Sequence, residues 1–119
     1  MTAVLVVDDD DDLLGVLAQG IGEEGGRDCV AVRGLDELTA LEARVSDCSV
    51  AILDIHLGAG KPSGLDAYHW LRARRFGGRV VFLTGHAHSH PLVQEAGRVE
   101  GATVRHKPIR LEDLLQLLA

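Results

Sequence analysis

No stretch of this sequence stays apolar for the ~20 residues that a helix needs to cross a bilayer. The N-terminus lacks the basic segment and small-residue cleavage site of a secretory signal. Both absences lead to the expectation of a cytoplasmic protein with no membrane contact. Cysteine is scarce. The only two, Cys29 and Cys48, form no CxxC pair and stand in no metal-ligand spacing with histidine. Free thiols in a reducing compartment fit them better than a disulfide. Positive charge is also short: 12 Lys and Arg against 18 Asp and Glu leave a formal net charge of −6. That is the wrong sign for a nucleic-acid surface, which needs clustered Lys and Arg. The densest basic group, Arg72, Arg74, Arg75 and Arg79, is short and reads as a solvated helix end. Repeats, low-complexity tracts and linkers are missing too. With 119 residues the chain suffices for one domain and not two. It stops with its last predicted helix, so a single domain over 1–119 without an output domain is expected.

What is present is a strong alternating pattern. Apolar residues make up 46% of the chain, as in a folded domain. Four short runs rich in β-branched residues, AVLVV (Ala3–Val7), CVAV (Cys29–Val32), SVAIL (Ser49–Leu53) and RVVFL (Arg79–Leu83), each lead into a loop signal. A weaker fifth, ATVRH (Ala102–His106), follows Gly101. Between them lie apolar stripes at helical spacing: Leu13, Leu14, Leu17 and Ile21; Leu35, Leu38 and Leu41; Ala67, Tyr68 and Leu71; Leu92, Val93 and Ala96; Leu111, Leu114, Leu115 and Leu118. Five strands alternating with five helices predict a doubly wound α/β domain with a central parallel sheet. The early strands are apolar throughout, which fits burial on both faces.

Ligands in such sheets bind at the carboxyl ends of the strands. Asp8 and Asp9 follow the first run, Asp54 the third, Thr84 the fourth, and Lys107 and Pro108 the fifth. If the first and third strands are neighbours, three carboxylates converge. At ~4 Å and an effective dielectric of ~20, each like-charge pair costs roughly 4 kcal/mol before relaxation, so packing alone would not retain them. An all-oxygen cluster suits a hard divalent cation, Mg²⁺ rather than Zn²⁺. Lys107 by its charge and Thr84 by its hydroxyl suit phosphoryl oxygens. Together these are the parts that move a phosphoryl group onto an aspartate, with Asp54 attacking in line.

These motifs, VLVVDD, AILD, VFLTGHA and KP, taken in order from about Val4 to Leu118, resemble the response-regulator receiver domains of two-component signalling. The resemblance implies a flavodoxin-like fold with strand order 2-1-3-4-5. It implies Asp54 as phosphoacceptor, Asp9 as a direct Mg²⁺ ligand, and Asp8 holding the metal mainly through water. The backbone carbonyl of His56 would complete the protein ligands. Thr84 and Lys107 would contact the phosphoryl group, and a cis peptide bond is expected before Pro108. A histidine kinase or phosphotransfer protein would be the donor. A downstream protein or an output domain would be the receiver of the signal, and homodimerisation stays open. Of the remaining aspartates, Asp10 is placed as N-cap of the first helix. Asp11 and Asp12 then fall in its first turn, where negative charge suits the helix dipole.

The chain departs from the family's pattern in three places. Gly58 stands where a proline is usual, and Gly64 appears as the glycine opening the third helix, which suggests a two-residue insertion beside the site. Val104 stands at the switch position that usually carries Tyr or Phe. His56 and His86 sit at the positions two past Asp54 and two past Thr84, where receivers tune phosphoryl lifetime; exposed loop histidines without a role are the equal alternative. His86, His88 and His90 alternate in one loop, and alternate residues need not converge, so a metal site there is not expected. Two other functions are weighed. An aspartyl-phosphate hydrolase of the haloacid-dehalogenase type would carry DxD on its first strand, whereas here DIH follows the third. A phosphorylation-independent interaction module would keep the fold without the switch, and Val104 and the altered loop leave that reading open.

Overall fold

The computed structural model describes residues 3–118. Five strands form one parallel sheet in the order β2-β1-β3-β4-β5: β1 (Ala3–Val7), β2 (Cys29–Val32), β3 (Cys48–Asp54), β4 (Arg79–Thr84) and β5 (Ala102–His106). The helices are α1 (Asp11–Glu23), α2 (Leu35–Ala40), α3 (Glu42–Val45), α4 (Gly64–Ala73), α5 (Pro91–Gly97) and α6 (Leu111–Leu118).

The alternation of side chains along each strand sorts the core into two layers. Val4, Val6, Val50, Ile52, Val81 and Leu83 pack on one face with Leu14, Leu17 and Ile21 of α1 and Leu114 and Leu118 of α6. Leu5, Val7, Ala51, Leu53, Val80 and Phe82 pack on the other with Leu38, Leu65, Ala67, Leu71, Val93 and Ala96. Burial on both faces explains why β1 reads as unbroken apolar sequence: all five of its residues are buried. Each fully buried Leu, Ile or Val side chain contributes about 1.5–3 kcal/mol by leaving water. The outer strand β5 is only half-buried, which accounts for its weaker signal.

The second stripe does not form a single helix, so there are six helical segments among the described residues rather than five. Leu41 leaves helical geometry at φ −109°, ψ 26°, and its N–H closes back on the Leu38 carbonyl at 3.0 Å. This tight turn ends α2, starts α3 and rotates the Leu41 side chain outward. Leu41 is therefore exposed rather than part of the core stripe. The basic group has structural partners. Arg74 pairs with Glu42 at 3.0 Å and lies 4.0 Å from the Trp70 ring centroid, while Arg72 sits over Tyr68 and Phe76.

Candidate functional site

The sheet brings the carboxyl ends of β1, β3, β4 and β5 side by side. Val7 pairs with Leu53, Asp54 with Leu83, and Thr84 with His106. Asp8, Asp54 and Thr84 are the buried polar residues at this edge, and Asp9 is exposed beside them. One carboxylate oxygen from each of Asp8, Asp9 and Asp54 lies within 4.8 Å of the others. The neighbour relation on which the convergence depended is thus present.

Asp8 is held from both sides. Its Oδ1 accepts the Asp10 N–H at 2.9 Å, and its Oδ2 accepts from Lys107 Nζ at 2.9 Å. Lys107 Nζ also reaches Asp54 Oδ2 at 3.3 Å, so one ammonium bridges two carboxylates. Its backbone N–H donates to the Thr84 carbonyl at 2.8 Å, which fixes the chain just past β5, and the Lys107–Pro108 peptide is cis. The Thr84 hydroxyl accepts the His86 N–H at 3.0 Å. Asp54 Oδ1 accepts the His56 N–H at 3.4 Å, a long bond.

The charges are unevenly balanced. Burial and the neighbouring Asp8 charge push the Asp54 carboxyl up to about 7, against the opposing pull of Lys107 and the His56 N–H. Burial pulls the Lys107 ammonium down, but its hydrogen bond to Asp8 and the charges of Asp54 and Asp8 outweigh that, and the net direction is upward. A single lysine therefore leaves negative charge at Asp54 uncompensated, and a further cation or a proton relieves it.

The loop after β3 is shaped around Asp54. The Gly64 N–H donates to the Ile55 carbonyl at 2.9 Å, and a Cβ at Gly64 would collide with the Asp54 carbonyl oxygen. Only glycine fits that approach, and Gly64 does open α4. Ser63 caps this helix in a reciprocal capping box with Asp66. Gly58 holds φ +114°, where side-chain-bearing residues are strained. Val104 is half-buried opposite Phe82 and packs on the sheet face that carries Leu5 and Val7. Asp10 accepts from the Asp12 and Leu13 N–H groups as the N-cap of α1, with Asp11 and Asp12 in the first turn.

A family model for the response regulator receiver domain matches residues 4–119. This chain belongs to that family. Solved structures agree in fold. A CheY-like response regulator receiver domain protein from Methanospirillum hungatei JF-1 superposes with TM-score 0.81 at 24% identity, over 99% of this chain and 90% of the other. The receiver domain of NtrX from Brucella abortus is 27% identical, with TM-score 0.77 over 97% and 92% of the two chains. A response regulator protein from Burkholderia pseudomallei is 28% identical, with TM-score 0.78 over 100% of this chain and 67% of that one; its structure carries a phosphorylated aspartic acid, a calcium ion and citrate. Among curated proteins the comparison finds no match. No helix among the described residues of the receiver domain is long and apolar enough to cross a membrane.

The histidines of this receiver domain fall differently from the loop pattern. His86 and His90 turn toward His56, with ring centroids 3.7 Å and 4.5 Å from it, while His88 lies against His106 at 4.2 Å. His86, His88 and His90 thus do not all converge on one another, and the cluster of three forms instead with His56 from the loop after β3. The only local signal is the shared offset: His56 is two residues past Asp54 and His86 two past Thr84 on adjacent strands. Burial, then repulsion from His86 and His90, lowers the His56 pKa.

Proposed function

We propose that this receiver domain accepts a phosphoryl group on Asp54 from a histidine kinase or phosphotransfer protein, in a Mg²⁺-dependent reaction in the cytoplasm, and thereby changes its affinity for a downstream partner. The observation that carries the reading is the bridging of Asp8 and Asp54 by Lys107, with Thr84 on the next strand. Asp8, Asp9, Asp54 and the His56 carbonyl would hold the metal. Their donors are all hard oxygens and the carboxylates carry excess negative charge, so the set fits Mg²⁺. When bound, the ion supplies charge neutralisation for the carboxylates and the transferring phosphoryl group.

The rest of the chemistry belongs to the chain. An Asp54 carboxylate oxygen forms the new bond to phosphorus as the bond from phosphorus to the donor nitrogen breaks. Lys107 Nζ moves from its carboxylate pairs to a phosphoryl oxygen, keeping a charge-assisted bond throughout. The Thr84 hydroxyl donates to a second phosphoryl oxygen, and that draws its loop inward. With Val104 at the switch position, the response rests on Thr84 and on α5 rather than on an aromatic side chain changing rotamer. The face of α5, β5 and α6 then differs between two states, and phosphorylation shifts their populations. The domain acts on its own aspartyl phosphate and not on an external substrate.

Beryllium fluoride, which copies a phosphoryl group on a carboxylate, gives the test. With Mg²⁺ present, ¹⁹F NMR should reveal a protein-bound fluoride species that is lost in Asp54→Asn and perturbed in Thr84→Val. A bound species that survives Asp54→Asn would remove Asp54 as acceptor. The absence of any bound species in folded wild-type protein would favour the phosphorylation-independent module.

A further inference from the structure

We propose that His56, His86 and His90 form a binding site for a divalent transition-metal ion of the Zn²⁺ type, chemically separate from the neighbouring carboxylate cluster. The three come from different places in the fold: the loop leaving β3, the loop leaving β4, and the N-cap of α5. One ring nitrogen from each lies within 4.8 Å of the others. Nitrogens on one tetrahedral zinc, each about 2.0–2.1 Å from the ion, sit roughly 3.3 Å apart, so modest side-chain rotation closes the set.

His56 lies closest to both other rings. Both its ring nitrogens are buried, and neither has a hydrogen-bond partner within the protein. Buried polar nitrogens are ordinarily partnered, so a pair left free next to two other imidazoles marks a place for a ligand. His86 is exposed, which leaves the set open to solvent on one side. Imidazole donors select Zn²⁺, Cu²⁺ or Ni²⁺, whereas the carboxylates beside them select Mg²⁺. The two sites thus sort ions by donor softness. Three histidines also leave a fourth position for water or an anion.

One bond must be exchanged. His90 Nδ1 now accepts the Leu92 N–H at 3.2 Å, so in the neutral ring the proton sits on Nε2. Metal at Nε2 moves that proton to Nδ1 and ends the cap; metal at Nδ1 displaces the Leu92 N–H. Asparagine at position 90 would keep a cap oxygen without supplying an imidazole. A bound ion would also tie the loops after β3 and β4 together. Binding itself does not depend on Asp54 being a phosphoacceptor.

The test is calorimetric titration of the unphosphorylated chain with Zn²⁺ in excess Mg²⁺, with Co²⁺ absorption reporting ligand type. Wild type should bind one ion and give the visible bands of tetrahedral Co²⁺. His90→Asn and His86→Ala should each weaken binding by roughly tenfold or more. His88→Ala should bind as wild type does. Melting curves establish that the variants fold, and exposed His86 supplies the decisive variant should His90→Asn be unstable. Failure of wild type to bind, displacement of Zn²⁺ by Mg²⁺, or binding indifferent to both histidine variants overturns the proposal.

Discussion

The Asp54 carboxyl makes the stability of the metal-free protein depend on pH in a direction opposite to that of an acid whose pKa is lowered in the fold, because burial and Asp8 outweigh its ion pair with Lys107. Its folded value is about 7 against an ordinary 3.8. Between those values the folded chain holds a proton that the unfolded chain has released. The stabilising contribution is therefore complete below about 3.8 and lost as pH rises through about 7. A shift of about three units corresponds to about 4 kcal/mol, and solvent screening at the open rim of the site reduces this to about 2 kcal/mol. Asp54→Asn holds the group neutral at every pH and keeps an oxygen for the His56 N–H. His56, lowered in the fold, pushes the other way by adding stability as pH rises toward its ordinary value. It is present in both proteins, so it cancels in their difference. Urea unfolding in EDTA from pH 4 to pH 8 should find the two proteins nearly equal at the acid end. By pH 8 the variant should lead by about 2 kcal/mol, roughly 6–8 °C in Tm for a domain of this size. A difference independent of pH, or a variant less stable at pH 8, would refute the argument that burial and Asp8 dominate over Lys107.

Lys107→Met removes the ammonium shared by Asp8 and Asp54 but keeps most of the apolar stem. At pH 8 it should cost roughly 1–3 kcal/mol in the same urea assay and move the Asp54 titration, followed by carboxyl NMR, further up. Gly64→Ala should cost about 2 kcal/mol or more in thermal melts, because its Cβ meets the backbone of Asp54 and not a yielding side chain. Asp10→Ala should lower stability by about 1 kcal/mol through the lost cap of α1.

The parts of this protein that were legible in its sequence are those set by burial and chain order. Val4, Val6, Ile52 and Val81 alternate with Leu5, Val7, Leu53 and Val80 between two packed faces, so their strands carry unbroken apolar runs. The residue at or just past the end of each strand then falls at the carboxyl edge of the sheet by topology alone, which is why the placement of Asp8, Asp54, Thr84 and Lys107 there could be read one by one. Contacts that depend on the path of a loop were not legible. The approach of His90 to His56 requires the courses of two loops after neighbouring strands. The bridging of Asp8 and Asp54 by Lys107 depends on a flexible side chain, and its contact with Asp8 spans 99 residues of sequence. The break at Leu41 was hidden because leucine carries no turn signal, and an i, i+3 stripe looks the same whether or not a helix is interrupted.

Uptake of a phosphoryl group by Asp54 would be read out by intact mass measurement. Wild type and Asp54→Asn would be incubated with Mg²⁺ and acetyl phosphate and weighed over time. The wild type should gain one labile phosphoryl adduct, dependent on Mg²⁺ and missing from the variant. An adduct of equal yield on Asp54→Asn, or none on folded wild type, would contradict uptake at Asp54.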